Sequence, residues 1–319
     1  MEKEEKKPLI ILTGPTAVGK TAASIGLAKA VGGEIISADS MQVYKEMDIG
    51  SAKITPEEME GVPHHLVDVL EPEEEFNVVR FQELAKEAMK GIYERGHIPI
   101  VVGGTGFYIQ ALLYDIDFTE NETDHTYRKE LEQLAEEKGE EYLHKLLQEA
   151  DPESAGQIHC HNVKRVIRAL EFYHLSGKRI SEHNEKEREK TSPYHFAYFV
   201  LTDERSHLYA NIDKRVDLMI EQGLVDEVQK LKNMGFHRDM VSMQGLGYKE
   251  ILDYLDGKTT LEEAIYIIKR ETRHFAKRQL TWFRRERDVI WLDKQAYDYQ
   301  DAKILDSMIN ILKEKTIIN

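Results

Sequence analysis

Residues 14–21 constrain this chain more than any other part of its sequence. They read GPTAVGKT and fit the phosphate-binding pattern G-x-x-x-x-G-K-[ST] without deviation. An apolar run at 8–13 precedes them, and a helical pattern over 17–31 follows. Strand, glycine-rich loop and helix in this order predict a loop whose backbone N–H groups and lysine bind phosphate at a helix N-terminus. The pattern alone leaves open whether that phosphate belongs to a triphosphate or a diphosphate.

Four further apolar runs, at 34–38, 97–102, 196–201 and 288–292, have the length of buried strands. Helical patterns separate them, which predicts an α/β fold: a P-loop NTPase-like, mostly parallel sheet with helices on both faces. Ligands of such sheets bind beyond the carboxyl ends of the strands. The phosphate loop, Asp39 and residues 103–105 are all expected there.

Between 118 and 195 the strand signal is absent, and apolar residues recur at helical spacing, as at Tyr127, Leu131 and Leu134. We therefore expect a helical insertion domain at 118–195 within a core domain made of 1–117 and 196–319. No apolar run approaches the roughly 20 residues of a membrane span. The charged N-terminus carries no signal-peptide pattern, so a cytoplasmic protein with no membrane partner is expected.

The 319 residues carry a net charge of 43 − 58 = −15, which is unusual for a protein that binds nucleic acid. Residues 264–287 are the exception, with eight lysines and arginines against two glutamates. At helical spacing, Arg270, Arg273, Lys277 and Arg284 share one face, opposite apolar residues that include Trp282. Both a solvated charged face and a track for nucleic-acid phosphates fit this pattern.

Several long blocks of this chain resemble the bacterial tRNA dimethylallyltransferases, also called the IPP transferase family. They include GPTAVGKT, ADSMQVYKEMDIGSAK, GVPHHLVDVLEP, IPIVVGGTGFYIQALL, RVDLMIEQGLVDEV, QGLGYKE and FAKRQLTWFR. The resemblance covers about 8–292. It implies transfer of the dimethylallyl group from dimethylallyl diphosphate to N6 of the adenosine 3′ to the anticodon (position 37) of tRNA, with release of diphosphate.

The resemblance also implies roles for individual residues. Asp39 is expected to be the general base, Thr105 to lie near the target nucleotide, and Arg215 to complete the diphosphate clamp. Mg²⁺ is the expected cofactor, held by Thr21, with Asp39 as a second candidate ligand. The expected diphosphate-binding residues are those of the phosphate loop: Gly14, Pro15, Thr16, Ala17, Val18, Gly19, Lys20 and Thr21.

The expected tRNA-binding residues lie in five parts of the chain and bind the anticodon stem-loop. They are Asp39, Ser40, Met41, Gln42, Thr105, Arg128, Lys164, Arg165, Arg168, Arg273, Lys277 and Arg278. Before Lys164 the family pattern usually reads Ile-His-Pro-Asn-Asp, whereas residues 158–162 here read IHCHN. The single cysteine, Cys160, excludes a disulfide framework and a multi-cysteine zinc site, and no role is expected for it.

Two other functions fit part of the pattern. A P-loop small-molecule kinase would use ATP in the loop, Asp39 to activate a hydroxyl, and the 118–195 insertion as a lid. A nucleotide-dependent binding module without chemistry would leave residues 103–106 and the Ser40–Gln42 pair unexplained. A monomer is expected, although nothing in the sequence determines the oligomeric state.

Overall fold

The computed structural model describes residues 6–118 and 126–319. Within them the strands are β1 Pro8–Thr13, β2 Gly33–Ala38, β3 His64–His65, β4 Ile98–Gly103, β5 His195–Thr202 and β6 Val289–Asp293. The helices before β5 are α1 Lys20–Val31, α2 Pro56–Met59, α3 Val78–Glu94, α4 Gly106–Leu113, α5 Thr126–Lys138, α6 Glu140–Ala150, α7 Pro152–Gln157, α8 Val163–Ser176 and α9 Ile180–Glu189. Those after it are α10 Arg205–Glu221, α11 Leu224–Asn233, α12 Tyr248–Leu255, α13 Leu261–Phe283 and α14 Asp301–Glu314.

The strands form one sheet in the order β3-β2-β4-β1-β5-β6, and every neighbouring pair is parallel. Strand β1 therefore lies between β4 and β5, with Thr13 opposite Gly103 on one side and Val200 on the other. Because all strands run in the same direction, the phosphate loop, Asp39 and Gly104 leave the sheet at one edge.

Both faces of the sheet are covered. On one face Leu12 and Phe199 belong to a core that includes residues of α1, α10 and α14. On the other, α3 packs against β2 and β4 and buries Phe81 and Met89. Strands buried on both faces are typical of parallel sheets. The predicted fold class is confirmed, and all five predicted strands are present with shifts of at most a residue at their ends.

The structure departs from the sequence prediction at three places. A sixth strand, His64–His65, pairs with β2 at the sheet edge. Helix α1 begins at Lys20 rather than at Ala17, because Ala17 and Gly19 adopt positive φ angles of 64° and 97°. Helix α13 ends at Phe283, so Arg284 is its C-cap residue rather than a member of its basic face.

A charged cluster closes the opposite end of β2. The carboxylate of Glu34, 2% exposed, accepts hydrogen bonds from Arg95 Nε (2.8 Å) and Nη2 (2.7 Å). It also contacts ring nitrogens of His65 and His97, each at 2.7 Å. The Arg95 hydrogen bonds chiefly lower the pKa of Glu34 to about 2, burial opposes this, and both histidines reinforce it. This cluster fastens β3 and the start of β4 to β2.

The chain divides into two compact units, which we call the core unit (Met1–Leu113 with Pro193–Asn319) and the helical unit (Tyr114–Ser192). The helical unit contains α5 to α9 around its own core, in which Leu131, Leu143, Leu147 and Val166 are buried. No helix in the described ranges has the length and apolar character needed to cross a membrane.

Candidate active site

The phosphate loop connects β1 to α1 through a backbone that only certain residues tolerate. Gly14 has a φ of 150°, and a Cβ there would lie 2.5 Å from the carbonyl oxygen of Leu201. Gly19 precedes the helix with a φ of 97°. Positive φ at Gly14, Ala17 and Gly19 turns the chain sharply before α1. The loop thus has the form expected for an anion site at a helix N-terminus.

Lys20 and Arg215 place two cations at this loop. Lys20 Nζ donates to the carbonyl oxygens of Gly14 (3.0 Å) and Pro15 (2.9 Å). Burial and then repulsion by Arg215 lower the pKa of Lys20 to about 8, while Asp39 opposes this. Burial also lowers the pKa of Arg215, against the attraction of Asp39 and Glu58. These mutual effects show that Lys20, Arg215 and Asp39 lie close to one another. The fold brings them together from α1, α10 and the loop after β2.

Asp39 begins a tight turn at the end of β2. Its Oδ1 accepts from the backbone N–H of Met41 (2.8 Å) and of Gln42 (3.3 Å). These bonds hold the carboxylate over the sheet edge and occupy one of its oxygens. The Gln42 side chain points inward instead: it accepts from Ser37 Oγ (3.3 Å) and donates to the carbonyl of Ala52 (3.1 Å).

Thr105 lies where β4 passes into α4. Its backbone N–H donates to the carbonyl of Ala38 (3.3 Å), which joins the ends of β2 and β4. Its carbonyl accepts from the N–H groups of Tyr108 and Ile109 in the first turn of α4. Thr105 therefore lies at the start of a helix, and it also lines the cavity described below.

One cavity of about 420 Å³ brings eight of the predicted site residues together. Its lining includes Thr16, Ala17, Asp39, Ser40, Met41, Thr105, Arg215 and Arg278. Gln42, Arg273 and Lys277 do not line it, and of the phosphate loop only Thr16 and Ala17 do, so Gly14, Pro15, Val18, Gly19, Lys20 and Thr21 lie outside its lining. A second wall of the cavity is apolar and comes from two helices: Ile212, Val216 and Met219 of α10, with Ile268 and Phe275 of α13. An anion site, a carboxylate and an apolar wall thus share one space.

Gln279 is a site residue that the sequence reasoning missed. Its side chain is buried, with 6% exposed, and its Oε1 accepts from the backbone N–H of Thr16 at 2.9 Å. Its Nε2 donates to the carbonyl of Gly104 at 3.0 Å. One amide thereby connects the phosphate loop to the loop after β4. The available signal was a polar residue at helical spacing from the buried Ala276 and Phe283, since buried amides require partners.

Glu227 of α11 is a second such residue. Its carboxylate accepts from three consecutive backbone N–H groups, those of Asp48 (3.0 Å), Ile49 (2.7 Å) and Gly50 (3.1 Å). The hydroxyl of Tyr248 also donates to it, at 2.8 Å. This clamp shapes the loop that carries Gly50 to the cavity wall. Nothing in the local sequence distinguishes Glu227 from the other acidic residues of its helix.

Comparison with known proteins decides the family. The IPP transferase family model matches residues 42–286, and the isopentenyl transferase model matches residues 7–70. The chain belongs to the IPP transferase family. A tRNA dimethylallyltransferase of Lachnoclostridium phytofermentans is 63% identical over 312 residues, which is 98% of this chain and 99% of that protein. The resemblance seen in the sequence is thereby confirmed.

Solved structures of IPP transferases share the fold. The full-length tRNA isopentenylpyrophosphate transferase of Bacillus halodurans is 47% identical, with a TM-score of 0.73 and 98% of each chain covered. A eukaryotic dimethylallyltransferase, described as acting on tRNA, is 32% identical with a TM-score of 0.78. That match covers 90% of this chain and 74% of the eukaryotic one.

In this IPP transferase the basic residues of α13 divide into two groups. Arg273 Nη1 contacts Asp213 Oδ1 of α10 at 2.5 Å, so its charge is paired within the protein. Lys277 and Arg278 are exposed and line an outer groove of about 400 Å³, which we define by His274, Lys277, Arg278, Thr281, Trp282 and Arg285. Trp282 therefore lies beside the basic residues rather than opposite them. Arg278 lines both the outer groove and the cavity.

The remaining candidates for tRNA binding lie in the helical unit. Arg128 of α5 is bound to Glu171 of α8 through Nε (2.9 Å) and Nη2 (2.7 Å), a pair that joins the two helices. Lys164, Arg165 and Arg168 are exposed on α8. The helical unit thus presents three cations to solvent on one helix, whereas Arg128 has a structural contact.

Proposed function

We propose that this protein transfers the dimethylallyl group from dimethylallyl diphosphate to N6 of the adenosine 3′ to the anticodon (position 37) of tRNA, releasing diphosphate. Membership of the IPP transferase family supports the reaction class. The observation that carries the proposal for this chain is that Thr16 and Ala17 of the phosphate loop, Arg215 and Asp39 border the same cavity. Such a cavity can hold the leaving group and the proton acceptor on either side of one reacting carbon.

The phosphate-loop end is assigned to the donor diphosphate. When the C–O bond to the allylic carbon breaks, its electron pair goes to the diphosphate, and the negative charge there increases. Lys20, Arg215 and the loop N–H groups are fixed in place before the reaction, so they stabilise that charge without reorganising. Mg²⁺ prefers oxygen ligands, and the hydroxyl of Thr21 would supply one of them. The metal would add further positive charge at the leaving group.

Asp39 is assigned as the general base. The adenine N6 uses its lone pair to form the new N–C bond, and one of its two protons must then leave. The carboxylate of Asp39 accepts that proton. Its bonds to Met41 and Gln42 involve Oδ1, and no hydrogen bond to Oδ2 occurs among the described residues. Besides the modified tRNA, the reaction therefore yields diphosphate and one proton.

The apolar wall is assigned to the isoprenoid tail. Ile212, Val216 and Met219 stand at helical spacing around Arg215 on α10, so a diphosphate bound to Arg215 directs its tail along them. Burial is worth about 0.8 kcal/mol per methylene, so five carbons would contribute about 4 kcal/mol to donor binding.

The tRNA is assigned to the outer groove and to the exposed cations of α8. Lys277, Arg278 and Arg285 supply phosphate contacts at the mouth of the cavity, and Trp282 supplies an aromatic ring on which a base can stack. Binding of the anticodon stem-loop by the helical unit, a monomeric state and a cytoplasmic location also belong to this proposal.

A transfer assay tests the proposal directly. Protein, Mg²⁺, radiolabelled dimethylallyl diphosphate and unmodified tRNA are incubated, and the digested RNA is analysed for N6-dimethylallyladenosine. General-base catalysis contributes about 10²–10⁴-fold, so Asp39→Asn should lose at least a hundredfold in rate. Asn keeps the acceptor for Met41 and Gln42, so the turn is preserved. A loss below tenfold would remove Asp39 from the role of base.

Two controls separate the alternatives. Arg205→Ala, an exposed arginine on the same helix as Arg215, should leave donor KM unchanged, whereas Arg215→Ala should raise it. ATP in place of the prenyl donor tests the kinase: phosphorylation of a small molecule without labelled nucleoside would overturn the proposal.

A further inference from the structure

The loop between α7 and α8 carries three metal-ligating side chains in a row. His159 Nδ1 lies 3.7 Å from Cys160 Sγ, and His161 Nδ1 lies 3.8 Å from the same sulfur. One ligand atom from each residue falls within 4.8 Å of the others. The two histidines are exposed and the cysteine is partly exposed, so a cation has access from solvent. None of the three takes part in the proposed transfer reaction.

We propose that His159, Cys160 and His161 form a Zn²⁺ site. Tetrahedral zinc with Zn–S of about 2.3 Å and Zn–N of about 2.05 Å places sulfur and nitrogen ligands about 3.6 Å apart. The two separations in the structure, 3.7 and 3.8 Å, are close to that edge length, and zinc would replace the hydrogen bond that His159 Nδ1 accepts from the backbone N–H of His161 at 3.3 Å. One thiolate with two imidazoles is also a borderline-soft ligand set that selects zinc over magnesium or calcium.

We assign Glu140 as the fourth ligand, although its carboxylate lies outside the 4.8 Å group of the other three and must move to reach the metal. It opens α6, and its Oε2 lies 2.5 Å from His161 Nδ1. The fold therefore brings a carboxylate to the cluster from 21 residues away in the chain. Zn²⁺ between the two groups would replace this hydrogen bond, and both atoms would move apart to the ligand spacing. Glu140 and His161 are exposed at their side chains, 45% and 73%, so this movement meets little resistance.

The site is independent of the proposed function. Cys160 and His161 stand where the family pattern has proline and asparagine. The loop leads directly into α8, whose N-cap Asn162 makes no side-chain capping bond. Zinc here would tie the start of α6 to the start of α8 within the helical unit, next to the exposed Lys164 and Arg165.

Co²⁺ titration of the full chain, after removal of metals with a chelator, tests the site. A thiolate bound to Co²⁺ gives a charge-transfer absorption band, and Cys160 is the only cysteine in the sequence, so the band reports on this site alone. Any metal at the phosphate loop is silent in this assay. We expect saturation at one equivalent and displacement by Zn²⁺. The band should disappear in Cys160→Ser.

His159→Asn and His161→Asn should each weaken Co²⁺ binding roughly tenfold or more. The matched control is His237→Asn, an exposed histidine of the core unit, which should bind as the unaltered chain does. As a measurement without variants, Zn²⁺ should slow alkylation of Cys160, read by mass spectrometry. A missing band, or equal affinity in both histidine variants and the unaltered chain, would overturn the proposal. Because the transfer assay does not involve these residues, its failure would leave this result unaffected.

Discussion

Replacing Gln279 by leucine tests how the phosphate loop is held. The leucine fills a similar volume but can neither accept from Thr16 N–H nor donate to the Gly104 carbonyl, bonds of 2.9 and 3.0 Å in the structure. A backbone group that loses its partner in a buried place costs about 1–3 kcal/mol. The bond to Gly104 is buried and the bond to Thr16 partly buried, so the two losses together cost about 2–4 kcal/mol.

This free energy must be lost either from stability or from activity. If the loop keeps its shape, the free energy of unfolding falls by the whole amount. If the loop relaxes to find other partners, stability is recovered, and the loop must be restored when the donor binds. A loss of about 2 kcal/mol taken entirely from kcat/KM is roughly a thirtyfold decrease. The two losses together should therefore reach at least about 2 kcal/mol.

Urea unfolding and donor-dependent kcat/KM in the transfer assay measure the two parts. Gln229→Leu is the matched control, because Gln229 makes only a local bond to Asn233 on the surface of α11. It should change neither quantity. If Gln279→Leu lost less than about 0.5 kcal/mol in both measurements combined, the bridge would have no energetic role and the argument would be wrong.

Three other predictions follow from the same structure. Because Lys20, with a pKa of about 8, must be protonated to bind diphosphate, donor KM should rise roughly tenfold between pH 7 and 9, and Lys20→Arg should flatten this profile. The folded-state pKa of Glu34 lies near 2, below its usual 4.5, so its stabilisation is present above pH 4.5 and is lost as the pH falls toward 2. Urea unfolding of Glu34→Gln at pH 7 should show a loss of about 3 kcal/mol, absent at pH 2 and absent in exposed Glu83→Gln. Glu227→Gln removes the charge that holds three N–H groups and should lower the free energy of unfolding by about 1–3 kcal/mol in urea, whereas neighbouring Asp226→Asn should not; equal stabilities would exclude the clamp.

Much of the fold could be predicted because buried parallel strands are short apolar runs. The run at 8–13, for example, appears in the structure as Pro8–Thr13. The strand His64–His65 could not be predicted in this way, since its two residues carry no apolar pattern. It exists because β2 offers an unpaired edge and Glu34 holds His65 across it. Such a strand depends on its neighbour rather than on its own sequence.

The candidate site was predictable where a residue belongs to a recognisable motif, as with Lys20 and Asp39. It was not predictable where a residue acts through a distant contact. Gln279 reaches Thr16 across 263 positions and Glu227 reaches Ile49 across 178, and no periodicity on one helix reports such pairs. The pairing of Arg273 could not be predicted for the same reason. The sequence shows the basic face of α13, but Asp213, the acid that pairs with Arg273, lies on another helix.

The free protein holds two cations, Lys20 and Arg215, in a place where burial disfavours their charge. Among the described residues neither forms an ion pair with a carboxylate, so the repulsion between the two cations at this edge of the sheet is only partly offset by the attraction of Asp39 and Glu58. Diphosphate relieves it, whether it arrives as part of the donor or remains as the product. Ligand at a hundred times its Kd would raise the free energy of unfolding by about 2.7 kcal/mol. The same attraction makes the product a competitor of the donor, so the departure of diphosphate can govern how fast the enzyme turns over.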